Sequence, residues 1–320
     1  MRPPWDGHLL WDAAESVRAA GLGMERRFFG ATMAAVDIGS LAVLETRGFS
    51  SRMLPTSVGD LHVLEIPGTG KLPPVVVLHG LGSCAADYAG LMAALSRHVR
   101  HIVAPDLFGH GLSPAPAAGM HVELLAKGLE EGLREVLQEP AVLLGNSMGG
   151  LEAVRLATRM PELVRGLFLA SPGGAPVSDA DLASLLATFA IGSRREALDF
   201  VDHFLGREHA LRPVLAFGVV ARMASPALRE LLGNVTPDDM LTAGEVRSVS
   251  CPTFLFWGAQ DRVLPRYQRD FFLRHLPAQM KYSSPARYGH APHLDDLGGF
   301  AKSVLRFLHS LPRTPADPAS

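Results

Sequence analysis

The sequence predicts an α/β protein in which a mostly parallel β-sheet is covered by helices on both faces and a helical cap is inserted late in the chain. Three observations predict it. Short β-branched or continuously apolar runs recur: PVVVLHG (74–80), HIVAPD (101–106), AVLLGNS (141–147), VRGLFLASP (164–172) and CPTFLFWGAQD (251–261), as strands buried on both faces require. Between them lie YAGLMAALSRH (88–98), HVELLAKGLEEGLREVLQ (121–138) and SMGGLEAVRLATRM (147–160), where apolar residues three and four apart mark helices with one apolar face. Strand alternating with helix folds as a parallel sheet with crossover helices. The third observation is a break in the alternation over 174–245, where DADLASLLATFA, REALDFVDHFLG, ALRPVLAFGVVARM and PALRELLG follow one another with no strand among them.

The remaining elements follow in order. Residues 1–45 read as a helical extension packed on the body. MRPPWDGHLLWDAAESVRAAGLGMERRF has Asp6, Asp12 and Glu15 among its apolar residues and lacks the order of a signal peptide. GATMAAVDIGSLAVL (30–44) carries Asp37 and is too short for a comfortable membrane span, although a peripheral membrane contact through residues 1–45 stays open. SRMLPTSVGDLHVLEIPG offers two strands around Gly59-Asp60, an antiparallel hairpin. The α/β core then divides into residues 46–173 and 246–312, with the cap between them, and the Pro-rich residues 313–320 form a disordered tail.

Composition narrows the function. Of 320 residues, 48% are hydrophobic and 19% charged, ordinary for a chain with a substantial core. A net charge of -2 sets up no field that favours nucleic acid, so a small, neutral, hydrophobic ligand is the expected partner. Two cysteines, Cys84 and Cys251, make no disulfide framework, and a reducing cytoplasm is the expected location. No HExxH occurs among the 13 histidines and no phosphate-binding glycine loop is present, so neither metal nor cofactor is expected. Nothing in the sequence sets an oligomeric state.

In a parallel sheet, ligands bind beyond the carboxyl ends of the strands, so the residues just after each apolar run carry the chemistry. Gly145-Asn146-Ser147-Met148-Gly149 matches GxSxG, in which small neighbours allow a strained strand-to-helix turn that exposes the serine hydroxyl. Serine needs a base to act as a nucleophile. His290, in RYGHAPHLDD, follows the predicted last strand QMKYSSPARY, and Asp261 ends FLFWGAQD at another strand's carboxyl end. An aspartate there can accept from the imidazole Nδ1 and hold the tautomer a base requires.

With HGLGS, PDLFGHGLS, GNSMGG, WGAQDRVLP and GHAPH in that order, the chain resembles the α/β-hydrolase superfamily over roughly residues 50–312. Ser147, Asp261 and His290 stand in that superfamily's nucleophile, acid and base order. Within it the chain is similar to capped esterases and lipases, monoacylglycerol-lipase-like proteins included, and to carbon-carbon bond hydrolases of ring-cleavage pathways. SPGG at 171–174 is similar to both groups. The resemblance makes His79-Gly80-Leu81-Gly82 the oxyanion loop, with the N-H of Leu81 and of Met148 as donors. Gly80, Gly82, Asn146, Phe189 and Phe217 are the expected substrate contacts. His79 is expected to shape the loop beneath them, and His110 and Asp106 to hold a turn. Asp295 and Asp296 read as first-turn acids of the last helix, and His293 competes with His290 for the base.

Acyl transfer from a hydrophobic ester to water is therefore the expected reaction. Carbon-carbon hydrolysis of a vinylogous diketone is the alternative, although the resemblance implies a tryptophan after the base where this chain has Ala291 and Pro292. Thioesterase and lactonase chemistry share the fold, and a ligand receptor that retains the three residues is the non-enzymatic reading. Ser147 argues against epoxide hydrolases and haloalkane dehalogenases, which place aspartate at that turn.

Overall fold

Strand pairing builds one sheet of eight strands in a computed structural model that describes residues 41–210 and 212–313. The expected helices over residues 1–40 and the expected disorder of residues 314–320 lie outside the described residues. The strands are β1 (Ser50–Pro55), β2 (Asp60–Pro67), β3 (Val75–Leu78), β4 (His101–Pro105), β5 (Ala141–Asn146), β6 (Val164–Ala170), β7 (Thr253–Phe256) and β8 (Lys281–Ser283), in the order β1-β2-β4-β3-β5-β6-β7-β8. The hairpin β1-β2 is antiparallel and β2 runs antiparallel to β4; every other pair is parallel. The carboxyl ends of β3, β5, β6 and β7 therefore share one edge. The strand expected from QMKYSSPARY keeps only three residues in β8, because Pro285 follows closely and proline has no N-H to give a ladder.

Alternation within the central strands feeds two cores. Val76, Leu78 and Leu143 face one side, with Leu129, Leu133, Val154 and Phe272; Val75, Val77, Val142 and Leu144 face the other, with Leu91, Leu95, Phe300 and Val304. The covering helices are α1 (Ala89–Ser96), α2 (Val122–Val136) and α3 (Met148–Arg159), followed after the cap by α8 (Ala243–Ser248), α9 (Arg266–His275), α10 (Pro292–Asp295) and α11 (Leu297–His309). No helix among the described residues is long and apolar enough to cross a membrane.

Between β6 and β7 come α4 (Asp179–Ala187), α5 (Arg194–Phe204), α6 (Arg212–Met223) and α7 (Pro226–Asn234). Ser178 and Ser193 cap α4 and α5 by accepting from the backbone N-H of Asp181 and Glu196, which is why these helices begin where they do. They bury a cluster of their own, Ile191, Phe200, Val201, Met223 and Leu228, against Val263 of the body. The insertion's ends meet where the N-H of Leu241 donates to Gly174 O at 2.8 Å, and Val246 of α8 is already part of the sheet's core.

An ion pair ties the insertion to the body. Arg222 of α6 donates to both carboxylate oxygens of Asp87, from Nη2 to Oδ1 at 3.1 Å. Burial alone would raise this carboxyl, but the guanidinium, the Ser83 hydroxyl and the Cys84 N-H outweigh it and hold it at about 2. A depressed folded pKa stabilises fully above the unfolded value of about 3.9 and loses that contribution as pH falls toward the folded one. Thermal unfolding between pH 4 and pH 2 should therefore fall more steeply in the wild type than in Asp87→Asn, and parallel curves would remove the pair from the account.

Candidate active site

The turn between β5 and α3 is forced by what surrounds it. Ser147 has φ 56° and ψ -119°, a region that costs a non-glycine residue about 1–3 kcal/mol and persists only where neighbours over-determine it. Its N-H donates to Ala170 O at 3.2 Å, and its carbonyl accepts from Gly150 at 2.9 Å and Gly173 at 3.0 Å. The flanking glycines make room: a Cβ on Gly145 would lie 2.3 Å from Gly149 O, and one on Gly149 would lie 2.1 Å from Leu78 O. Gly149→Ala is accordingly expected to cost about 3 kcal/mol in urea denaturation, whereas Ala153→Gly, in the helix interior, costs only about 1 kcal/mol.

Over the serine runs the loop after β3. A Cβ on Gly80 would come within 3.1 Å of Ser147 Cβ, so the loop passes close over the serine and a larger residue there would have to push it by a few tenths of an ångström. Ser83 N-H donates to Gly80 O at 3.1 Å, and Gly82 has φ 71°, the conformation a turn of this kind needs at its third residue. His79 locks the loop from beneath. Its Nδ1 donates to Gly80 O at 2.8 Å and its Nε2 accepts from Leu107 N-H at 2.9 Å, and burial lowers its pKa and keeps it neutral. Leu81 lines the space around Ser147, and Met148 is the first residue of α3, whose N-H has no acceptor inside the helix.

His290 and Asp261 meet at the same edge, with Nδ1 2.8 Å from Asp261 Oδ2 and both side chains buried. Asp261 Oδ1 accepts from the N-H of Val263 at 2.9 Å and of Leu264 at 3.1 Å. Burial would raise this carboxyl, but attraction to the His290 ring, their hydrogen bond and the Leu264 N-H hold it below its ordinary value. The backbone of His290 is fixed twice: its N-H donates to Phe204 O at 2.8 Å, and its carbonyl accepts from Asn146 Nδ2 at 3.0 Å. Asn146 also binds Tyr88 and Ala170, so although it lines the cavity its amide is committed to protein groups.

The space these residues enclose is a cavity of about 810 Å³, lined by Gly80, Leu81, Gly82, Asn146, Ser147 and His290 from the body and by Phe189, Phe200 and Val219 among others from the insertion between β6 and β7. Phe217 is corrected. It is 37% exposed and absent from the lining, because the cavity-facing side of α6 is made by Val214, Leu215, Gly218, Val219, Arg222 and Met223, spaced three and four apart, and Phe217 lies on the other side of the helix. His293 stacks on Tyr88 at 4.1 Å, and burial pushes its pKa down to about 4.

Sequence reasoning took Asp295 for a first-turn acid of the last helix and missed its partners. Asp296 caps α11 through Gly299 N-H at 3.0 Å, but Asp295 is buried and accepts from Gly206 N-H at 2.8 Å and Gly289 N-H at 2.6 Å, so it ties the end of α5 to the His290 loop. Gly206 and Gly289 touch backbone to backbone, a contact between loops far apart in sequence. A second serine-histidine-aspartate chain also exists: Ser51 Oγ lies 2.8 Å from His62 Nε2, and His62 Nδ1 lies 2.7 Å from Asp106 Oδ2. None of these three lines a cavity described at Ser147, Ser51 lies within β1, and Asp106 also accepts from Ala85 and Leu112. These bonds brace the hairpin against the loops.

A family model described as the alpha/beta hydrolase family matches residues 75–303. A pimeloyl-acyl-carrier-protein methyl ester esterase of Chromobacterium violaceum is 30% identical over 254 residues, covering 75% of this chain and 96% of its own. A 2-hydroxymuconate semialdehyde hydrolase of a Pseudomonas species is 26% identical over 253 residues, covering 73% of this chain and 86% of its own. Among solved structures, a carboxylesterase from Bacillus subtilis superposes with a TM-score of 0.72 at 22% identity, over 88% of this chain and 98% of that one.

Proposed function

Because the chain belongs to the alpha/beta hydrolase family, we propose that it is a serine hydrolase cleaving a carboxylic ester with a hydrophobic acyl group, with Ser147 as nucleophile, His290 as base and Asp261 as the residue that orients the ring. The observation that carries this reading is the strained Ser147 and the Asp261-held His290 lining one largely apolar cavity. With its Nδ1 proton directed at Asp261, the imidazole offers the Nε2 lone pair to the serine proton. The alkoxide attacks the ester carbonyl, and the N-H groups of Leu81 and Met148 stabilise the oxyanion, each worth roughly 2.7–4 kcal/mol in a comparable hydrolase. His290 then protonates the departing alcohol, and the acyl-enzyme is hydrolysed by a water from which the same ring takes a proton.

The relatives support both ester and carbon-carbon cleavage, since a methyl ester esterase and a semialdehyde hydrolase are both similar to this chain. The ester reading leads because the cavity lining is mostly aliphatic and aromatic, while Arg222, its one arginine among the described residues, is engaged by Asp87 and so is a poor anchor for a carboxylated diketone. A thioester or lactone would follow the same steps. The test is steady-state hydrolysis of p-nitrophenyl esters from acetyl to palmitoyl, beside a vinylogous diketone. Sustained ester turnover with an optimum above acetyl supports the reading; diketone cleavage alone transfers the assignment to carbon-carbon hydrolysis, and binding without turnover transfers it to a receptor.

A further inference from the structure

The cavity at Ser147 is apolar over most of its wall, with Leu81, Phe189, Phe200, Val219 and Leu294 among its lining residues. Apart from Ser147 and His290, its polar side chains among the described residues are Ser83, Asp87, Tyr88, Asn146, Arg222 and His293. All but His293 are bonded to other protein groups. The Ser83 hydroxyl donates to Asp87 Oδ2 at 2.7 Å, and Arg222 donates to the same carboxylate. The Tyr88 hydroxyl donates to Asn146 Oδ1 at 3.0 Å, and the Asn146 amide donates to Ala170 O and His290 O.

His293 lies within α10, three residues beyond His290, and its ring stacks on Tyr88 with the centroids 4.1 Å apart. Its Nδ1 is enclosed and meets no described group. Nε2 also bonds to no described group, but it is not enclosed. The residue is 7% exposed, and since it lines the cavity, Nε2 opens onto that space. Burial pushes the pKa of the ring down to about 4 despite the attraction of Asp87, so the ring is neutral and carries a single proton. On Nδ1 that proton would be a buried donor with nothing to accept it, a costly arrangement. On Nε2 it points into the cavity, where a ligand can accept it.

The surroundings narrow what that ligand group is. A charged group would have to leave water for a site that offers it no counter-ion, because the ring is neutral and the Asp87–Arg222 pair carries no net charge. An uncharged oxygen loses far less on leaving water and accepts directly. We propose that His293 is a substrate-contacting residue whose Nε2 donates to an uncharged oxygen, of an ether, hydroxyl or carbonyl, that the substrate carries in addition to its ester group. The inference rests on the reading of Ser147 and His290 given above, and it narrows the substrate to an ester with such an oxygen in its alcohol or acyl chain.

The experiment compares kcat/KM for hexyl hexanoate with analogues in which one methylene in the outer half of either chain is replaced by an ether oxygen. The wild type is expected to favour at least one oxygen-bearing ester by about fivefold, as one hydrogen bond allows. His293→Phe, which keeps a ring to stack on Tyr88, should favour the plain ester instead, and His293→Gln, which retains an N-H donor, should recover part of the preference. Whether the favoured oxygen sits in the alcohol or the acyl chain tells which half of the ester lies against His293. A merely structural role for His293 would change all the rates together and leave their ratios alone. No preference in the wild type, or one that survives His293→Phe, would overturn the contact. If no ester of the series is hydrolysed, the ester reading fails instead. The contact then stands or falls on calorimetry with the same intact esters: tighter binding of an oxygen-bearing one that His293→Phe removes supports it, and equal binding overturns it.

Discussion

Ser147→Ala and His290→Ala are each expected to lower ester turnover on the order of a millionfold, as loss of either member of such a unit does, with far-UV circular dichroism unchanged. Both changes remove reacting atoms and leave the supporting bonds in place, since the turn is held through the backbone of Ser147 and the His290 loop through its N-H and carbonyl. Ser147→Gly separates chemistry from strain. At φ 56° a glycine relieves about 1–3 kcal/mol, less the roughly 0.5–1 kcal/mol that its extra unfolded-state freedom costs, so this variant should be inactive yet no less stable than Ser147→Ala. Full activity in His290→Ala would move the base to His293, whose depressed pKa of about 4 makes it a weak proton acceptor.

Asp261→Asn is expected to lower kcat by about 10⁴-fold while the protein folds normally. The asparagine can retain an oxygen acceptor for the Val263 and Leu264 N-H groups, which now reach Asp261 Oδ1. Its amide must then face His290 Nδ1 and donate to it. That selects the tautomer with the proton on Nε2, the wrong one for taking the serine proton, and removes the charge that stabilises the imidazolium. A rate within tenfold of wild type would show that another carboxylate orients His290. Asp295 is no substitute, since both its oxygens are taken by the N-H groups of Gly206 and Gly289.

How much could be read beforehand differs from residue to residue. The strand runs of β3 and β5 were legible because burial on both faces leaves continuous apolar sequence, and the glycines around Ser147 because close backbone approach excludes every other residue type. Phe217 was misplaced because an insertion rich in aromatics does not announce which helical face turns inward; the docking of α6 decides that. Asp295 was read as a helix-dipole acid from its position beside Asp296, although its partners Gly206 and Gly289 come from two separate loops.

By itself, the sequence determined the alternation of strand and helix, the sharp turn at Ser147 and the order in which Ser147, Asp261 and His290 occur, since these follow from periodicity, glycine and local backbone sterics. Only the tertiary structure decided that Arg222 locks onto Asp87, that Asn146 and Phe204 grip the backbone of His290, and that His293 opens onto the cavity at Ser147. The physical reason is range: propensity and burial pattern act within an element, whereas these contacts arise when rigid elements far apart in sequence pack together, and no local pattern records where they meet.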